Sequence, residues 1–575
     1  MTPPASTPAV PEEHAVPEER AAVTAPGRGR DQSRFIARAA AATAVLTVLG
    51  ALMGLVRDQA VAHLYGAGAA TDAFLVSWTV PEVAATLLIE DAMALVLIPA
   101  FSLALSRRAA RDAARGAGAA PGESPPEEGG RDPVRALLAH TLPRLLAGLA
   151  CASGLLMLGA PRLVHLLAPG LADPRLAVEC TRLTAVTVFT FGVAGFLSAG
   201  LRAHRRFVPP AGIYLAYNIG ITVTVLVFHE LWGVRAAAAG VAAGGCLMVL
   251  VQLPFFLRRL PRVTRQDRRS PRRTTGARRV QRRAVLAGGG VLLPIAVFTL
   301  SRQSQVLVER YLASSLPAGA ISHLNYAQKV AQIPMVLSLM ICTVTFPLVA
   351  RAYADGEAGQ VRRRVERDLA AAALVVLLGA AYVFACAPQI IELLFQRGAF
   401  TSQDTAVTAS VMRVYALGLL GHSLVGALIR PYFSTGRPTW YPVTAMAAGL
   451  VLTVWGGVLL SDHWGTHGIA AANAAGITLT AALLLAGTAR PSRRHAAAAV
   501  DLRRVVPGLI RLAAAAAAAA ALGAAVVPRC GEALPAAAVG AVLVPLAFLA
   551  AGYAAGAPEV RQLLSVVERR LRHDR

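Results

Sequence analysis

Runs of twenty or more apolar residues, separated by short loops rich in arginine, recur from about residue 36 to residue 556. A helix crosses a bilayer with roughly 20 apolar residues. The pattern predicts fourteen spans, at about 38–57, 73–105, 136–158, 178–201, 210–229, 235–257, 284–310, 321–350, 367–387, 405–430, 439–460, 467–489, 503–526 and 534–556. In hydrocarbon every backbone N–H and C=O has to be satisfied within the protein, which selects helices for such runs. The expected fold class is therefore an all-α polytopic membrane protein. Residues 1–35, rich in Pro, Glu, Ala and Thr, read as a disordered cytoplasmic tail, and 107–133 read as a polar linker between spans two and three. The tail does not read as a secretory signal, because the first apolar run starts near Ile36 and continues as a full span.

Charge adds the orientation. The chain carries a formal net charge of +24, and the loop from Arg258 to Arg283 alone holds twelve Arg and one Asp. Loops after even-numbered spans, together with the C-terminal tail, hold most of the loop arginine. The positive-inside rule then places both termini in the cytoplasm. Such loops attract anionic lipid headgroups. Nucleic acid is not the expected partner, because the Arg-rich loop has neither aromatics nor a recognisable binding module. The six cysteines are scattered without CxxC or metal spacing and read as small core residues. No nucleophile–base pair, metal spacing or Gly-rich phosphate loop lies in a polar segment, so no enzyme, metal or cofactor is expected.

The charges inside spans change the picture most. Glu90 and Asp91 sit near the middle of the run 73–105. A charge at that depth costs about 2.5–3.5 kcal/mol on insertion scales, so it usually faces a polar cavity and marks a pathway. Asp91 points about 100° away from Glu90 on a helix. Arg57 sits at the outer end of span one, either in the pathway or as an interfacial anchor paired with Asp58. Asp72 is placed either at an outer gate or as the cap of the helix that follows. In span seven Arg302, Glu309 and Arg310 are seven and eight residues apart and share a helix face, with Glu309 a candidate gate or cation contact; the alternative is a Glu309–Arg310 surface pair. Lys329 is the single lysine among 56 Lys and Arg; it is either a substrate contact or a side chain snorkelling near a helix end. His422 reads as a satisfied core histidine, and the alanine run 513–521 as helix packing.

Internal similarity points to duplication. Arg202 after span four is followed eight residues on by Pro210, and Arg430 after span ten by Pro438. Spans two and eight both follow a Gly-Ala turn, GAGAATD at 66–72 and PAGAISH at 317–323. Transporters often place substrate between such repeats. The expected organisation is an N-terminal lobe at 36–258, an Arg-rich loop at 259–283, a C-terminal lobe at 284–490, two further helices in 491–557 and a basic tail at 558–575.

The run LVRDQAVAHLYGAGAATDAFLVSWTVPE, the stretch VERYLASSLPAGAISHLNYAQKVAQIP at 308–334 with the following TFPLVARAY, LLFQRGAFTSQDT at 393–405 and YALGL…ALIRPYFSTGRPT at 415–439 resemble the MurJ/MviN lipid II flippases, in order and at the right spacing. The resemblance covers roughly 35–490. It implies the MOP exporter fold, with fourteen helices, two lobes, a central cationic cavity and alternating access. It implies a monomer in the bacterial plasma membrane, working beside cell-wall synthesis proteins, that moves an undecaprenyl-diphosphate-linked peptidoglycan precursor to the outer leaflet. The substrate contacts it implies are Lys329, Arg57, Glu90, Asp72, Asn325 and Ser322, with Glu309, Asp91 and Arg302 as gate or cation residues. Gly50 and Ala51 stand where the family carries a Ser-Arg pair, Ala85 where it carries an Arg, and Lys329 where it carries a third Arg. Helix eleven lacks the amide or acid groups of sodium-coupled relatives. These departures leave three alternatives open: an exporter of another polyprenyl-linked glycan, a drug or cation antiporter of the same superfamily, and a transport-dead scaffold.

Overall fold

A computed structural model describes residues 26–116, 132–260, 275–340, 357–434, 439–488 and 500–573 of the chain. Aspartate caps and helix-starting prolines set several helix entries. Asp132 accepts from the backbone N–H of Val134 at 2.9 Å and Asp173 from that of Leu176 at 3.0 Å, each just ahead of a proline at the first helical position. In chain order the helices longer than one turn are α1 (Pro26–Tyr65), α2 (Ala69–Ala84), α3 (Ala92–Gly116), α4 (Pro133–Leu167), α5 (Pro174–Thr184), α6 (Val186–Ala203), α7 (Ile213–Trp232) and α8 (Arg235–Leu257). They continue with α9 (Thr275–Ala313), α10 (Ala320–Ala331), α11 (Ala358–Ala385), α12 (Ala387–Phe395), α13 (Ser402–Ser434) and α14 (Tyr441–Thr488). The last are α15 (Leu502–Val526), α16 (Ala533–Ala554) and α17 (Pro558–His573). No strand occurs among the described residues.

Eleven helices among the described residues are long and apolar enough to cross a membrane. One of them, α14, contains two expected spans. Its backbone leaves the helical region at Gly465 (φ 53°, ψ −129°). Beyond that break the chain returns antiparallel, with Gly449 facing Gly476 and Thr480, Gly456 facing Ala472 and Gly468 facing Leu460. Small residues on facing helices permit this approach. Expected spans seven and eight are not among the eleven, and the expected range of span eight, 321–350, extends beyond the described residues, so these do not close the count of fourteen.

Three helix ends run well past the expected boundaries. α1 starts at Pro26 inside the expected tail, α3 runs to Gly116 inside the expected linker, and α9 starts at Thr275 inside the Arg-rich loop. Alanine and arginine are strong helix formers and dominate 107–115 and 277–283, so helix continues there past the apolar run; the stretch 26–35, with Gly27 and Gly29, has no such local reason. The cysteines also differ: Cys180 and Cys386 are buried, but Cys151 and Cys246 lie on exposed faces. A small apolar side chain suits a lipid-facing position as well as a core one.

Helices α1–α8 pack mainly with one another, and α9–α14 do the same, with α15 and α16 docked on α11. The two groups meet along α2, α9 and α10, and where α1 touches α12. α2 is the irregular element at that seam. Pro81 cannot donate to the carbonyl of Ser77, and the Thr184 hydroxyl donates to it instead at 3.1 Å. Beyond Pro81 the chain widens into a π-helix at Ala85–Asp91 before α3 begins. Such stretches are frequent at functional sites.

Candidate functional site

Two charged residues near the end of α1 meet the single lysine on α10. Arg57 donates from Nη2 to Asp58 Oδ1 at 2.7 Å and from Nε to the same oxygen at 3.0 Å. Lys329 Nζ lies 3.3 Å from both oxygens of that carboxylate. One acid therefore serves two cations, and the cluster is net positive. Arg57 Nη1 donates to Asn218 Oδ1 of α7 at 2.8 Å. The amide nitrogen of Asn218 donates in turn to the Gly50 carbonyl at 3.0 Å, which fixes how the amide points. Gly50 and Gly54 permit this approach: a side-chain carbon on Gly50 would press on Tyr214 and Leu215, and one on Gly54 on Asn218. The cluster is walled by Trp78 of α2, whose ring lies 4.5 Å from the Arg57 guanidinium and 5.5 Å from the Lys329 ammonium. Each guanidinium nitrogen of Arg57 makes one bond, whereas the Lys329 ammonium, with three donors, faces a single carboxylate.

Around Tyr65, where α1 ends, the two groups close by backbone and carboxylate. Asp72 Oδ2 accepts from the Gly319 N–H at 2.7 Å, and Oδ1 accepts from the N–H and hydroxyl of Ser322 at 2.8 and 2.5 Å. Asp72 thus does not cap the helix that follows it. That helix starts at Ala69 with Gly68 as its cap, which leaves the Asp72 carboxylate free to cap α10 of the other group. A carboxylate at a helix N-terminus meets both orphan N–H groups and the positive end of the helix dipole. The two Gly-Ala turns that look duplicated in sequence meet here, since a side-chain carbon on Gly319 (φ 97°) would sit 2.8 Å from the Ala67 carbonyl. Nearby the Ala399 N–H donates to the His63 carbonyl at 2.8 Å.

A third zone lies on α9. Glu309 and Arg310 are both buried, but they do not form the surface pair that their adjacency offers. Neighbouring helix residues diverge by about 100°. Glu309 accepts from the Asn473 amide of α14, and Arg310 Nη2 donates to Glu82 of α2 at 3.4 Å, across the seam. Asn325 lines a cavity of about 20 Å3 together with Glu309, Arg310 and Gln328, which is room for one water. Further along α9, Gln303 donates to the Thr86 hydroxyl at 3.0 Å, and Arg302 is exposed. His422 shares Asn473 with Glu309, at 3.4 Å.

The expected site residues therefore divide. Arg57 and Lys329 come together, Asp72 and Ser322 come together, and Asn325 joins Glu309. Glu90 is apart from all of these, exposed in the π-helical stretch and accepting from the Tyr214 hydroxyl at 2.8 Å. The side chain of Asp91 lies outside the described residues. Sequence reasoning missed Glu82, an acid inside span two with the same signal as Glu90, and Asn218, the amide inside span five. It also missed Asp58 as the acid shared by the two cations and Trp78 as their wall. No group of three or more His, Cys, Asp or Glu suited to a metal occurs among the described residues.

A family model described as Lipid II flippase MurJ matches residues 61–529. The chain is 26% identical over 451 residues to the lipid II flippase MurJ of Burkholderia cenocepacia, covering 77% of this chain and 81% of that one. It is 26% identical over 444 residues to the probable lipid II flippase MurJ of Rhizobium meliloti, covering 76% of this chain and 77% of that one. Among solved structures, a lipid II flippase MurJ in an inward closed conformation superposes with a TM-score of 0.64 at 15% identity, over 88% of this chain and 97% of that one. An inward-facing multidrug resistance MATE transporter of the MOP superfamily superposes with a TM-score of 0.55 at 14% identity, over 77% of this chain and 96% of that one.

Proposed function

The chain belongs to the lipid II flippase MurJ family, and from that premise we propose that it flips lipid II across the membrane with Arg57 and Lys329 as the contacts for the diphosphate. The observation that carries this reading is the sharing of one carboxylate by two cations that come from the two helix groups. A diphosphate presents several anionic oxygens and cannot enter hydrocarbon unpaired. Arg57 offers a planar fork of donors and Lys329 a compact charge that reorients. Asp58 holds both while the site is empty, and a diphosphate supplies the charge that lets them release it. Because α1 and α10 belong to different groups, ligand binding here acts on the contact between them, as alternating access requires.

With both termini in the cytoplasm, the Tyr65 end is the outer face. Asp72, Ser322 and Gly319 then form the outer closure, and Asn325, Glu309 and the Arg310–Glu82 pair form the seam that changes as the closure opens. Glu309 serves as gate or cation contact. Glu90 contacts the sugar-bearing part of the substrate or gates the inner side, together with Asp91 and Arg302. The protein works as a monomer, beside the enzymes of cell-wall synthesis and among anionic lipids. A related reading, a different polyprenyl-linked diphosphate as cargo, is favoured by Gly50, Ala51 and Ala85 in place of polar or cationic family residues.

The test is rescue of bacteria depleted of their own lipid II flippase, with outward translocation of labelled lipid II measured in parallel. Rescue and translocation support the reading. Correct insertion without either one, but with translocation of another polyprenyl-diphosphate glycan, moves the cargo to that class. Failure with every such lipid removes transport altogether.

A further inference from the structure

Lys329 and Arg57 repel each other, and Asp58 is the one carboxylate that bonds both of them. A diphosphate that displaces Asp58 would find this pair only if something else keeps the cations in place. Trp78 is the group positioned to do so. It is buried, at 8% exposure, and its ring lies within 6 Å of both cations. An aromatic face attracts such cations through its quadrupole, more strongly where water is excluded. The ring is itself fixed by an edge contact with Phe74 at 5.5 Å and a tilted contact with Tyr217 at 6.1 Å. α2, which carries Trp78, belongs with α1 and Arg57, whereas Lys329 arrives from the other group.

We propose that Trp78 is a positioning residue of the anion site, holding the Arg57 guanidinium and the Lys329 ammonium side by side so that they stay a pair when a diphosphate takes the place of Asp58. This rests on the reading of the two cations as diphosphate contacts. It gives Trp78 a role that burial in a core would not. The benefit of the ring should depend on Lys329 being present, and the indole should sense the exchange of one anion for another.

The second consequence is measurable because the other four tryptophans, Trp232, Trp440, Trp455 and Trp464, are all exposed, at 47%, 48%, 65% and 61%. The full chain with those four changed to Phe, reconstituted in liposomes, leaves Trp78 as the only tryptophan. Undecaprenyl diphosphate should shift its emission saturably, and uncharged undecaprenol should not. Retention of labelled undecaprenyl diphosphate then tests the coupling. Trp78→Leu should weaken binding about tenfold when Lys329 is present and less than twofold in a Lys329→Ala background, as a double-mutant cycle resolves. Trp78→Phe, which keeps an aromatic face and most of the volume, should weaken it about threefold and guards against misfolding of the Leu variant. Equal losses with and without Lys329, or an emission unmoved by saturating undecaprenyl diphosphate, would overturn the role of Trp78 and leave the diphosphate reading intact. Retention of undecaprenyl diphosphate no better than undecaprenol by the unsubstituted chain would overturn both.

Discussion

The cation cluster and the closure at the Tyr65 end both join the two helix groups through one aspartate, and they differ in what that aspartate faces. Asp72 meets donors of matching geometry: two backbone N–H groups and a hydroxyl at 2.5–2.8 Å, at the mouth of a helix. Asp58 meets two side-chain cations, and Lys329 stands off at 3.3 Å. The first arrangement is satisfied with the protein alone. The second keeps surplus positive charge that an added anion would satisfy better. A carboxylate on fixed backbone donors makes a latch, and a carboxylate between two side-chain cations makes a placeholder.

The largest effect should come from removing the cation that crosses the seam. Lys329→Ala leaves the incoming diphosphate short of a desolvated charge partner, which costs on the order of 2–5 kcal/mol. Lipid II translocation should fall at least about 30-fold, while Lys329→Arg keeps the charge in a different shape and retains part of the rate. Equal rates in all three proteins, measured side by side in proteoliposomes, would break the distinction between placeholder and latch.

Asp72→Ala should come next and act differently. It orphans two N–H groups at the start of α10, a loss of about 0.5–2 kcal/mol for a helix cap. The expected outcome is an outer end that opens more often. A cysteine placed at Ala67, beside Gly319, should react several-fold faster with an impermeant maleimide added outside, with binding of undecaprenyl diphosphate little changed. Slower binding with unaltered labelling would mean that Asp72 belongs to the ligand site.

Gly319→Ala sharpens the same point with a milder change. Gly319 has φ 97°, where a side chain costs about 1 kcal/mol, and its added carbon would press on the Ala67 carbonyl. Labelling at Ala67 should rise by less than in Asp72→Ala, because the carboxylate still caps the helix.

How far these zones were legible in the sequence follows from the range of their contacts. The spans were readable because a bilayer imposes one length and one polarity on each. The turn inside α14 was readable for the same reason, since SDHWGTHG interrupts the apolar run. The helical extension at Thr275 was not, because helix propensity persists outside the apolar run, and the one at Pro26 was not, because Gly27 and Gly29 argue locally against helix. At the site, Arg57 and Lys329 stood out as charges near apolar spans, but Asp72 and Ser322 are 250 residues apart and Lys329 and Asp58 are 271 apart. Nothing local says which distant donor an acid will meet. Trp78 carried no signal, because an aromatic in an apolar run looks the same whether it faces lipid, core or cation.

The smallest effect tests whether the placeholder has a fixed side. Asn218 accepts from Arg57 at 2.8 Å and donates to the Gly50 carbonyl at 3.0 Å, so it anchors one cation to α1 and α7 while Lys329 stays adjustable. Asn218→Ala removes a hydrogen bond to a charged group, worth about 1.5–3 kcal/mol when its partner stays buried. Part of that cost is recovered here, because two of the three guanidinium hydrogen bonds go to Asp58 and remain. The residual loss should be about 1 kcal/mol, or roughly fivefold in affinity for undecaprenyl diphosphate. The labelling rate at Ala67 should not change, since the bonds of Asp72 to Gly319 and Ser322 do not involve α7. A loss as large as that of Lys329→Ala would instead make Arg57 the dominant anion contact and Lys329 the accessory one. A change in labelling at Ala67 would show that the two zones are coupled through α1, which carries Arg57 and ends beside the closure.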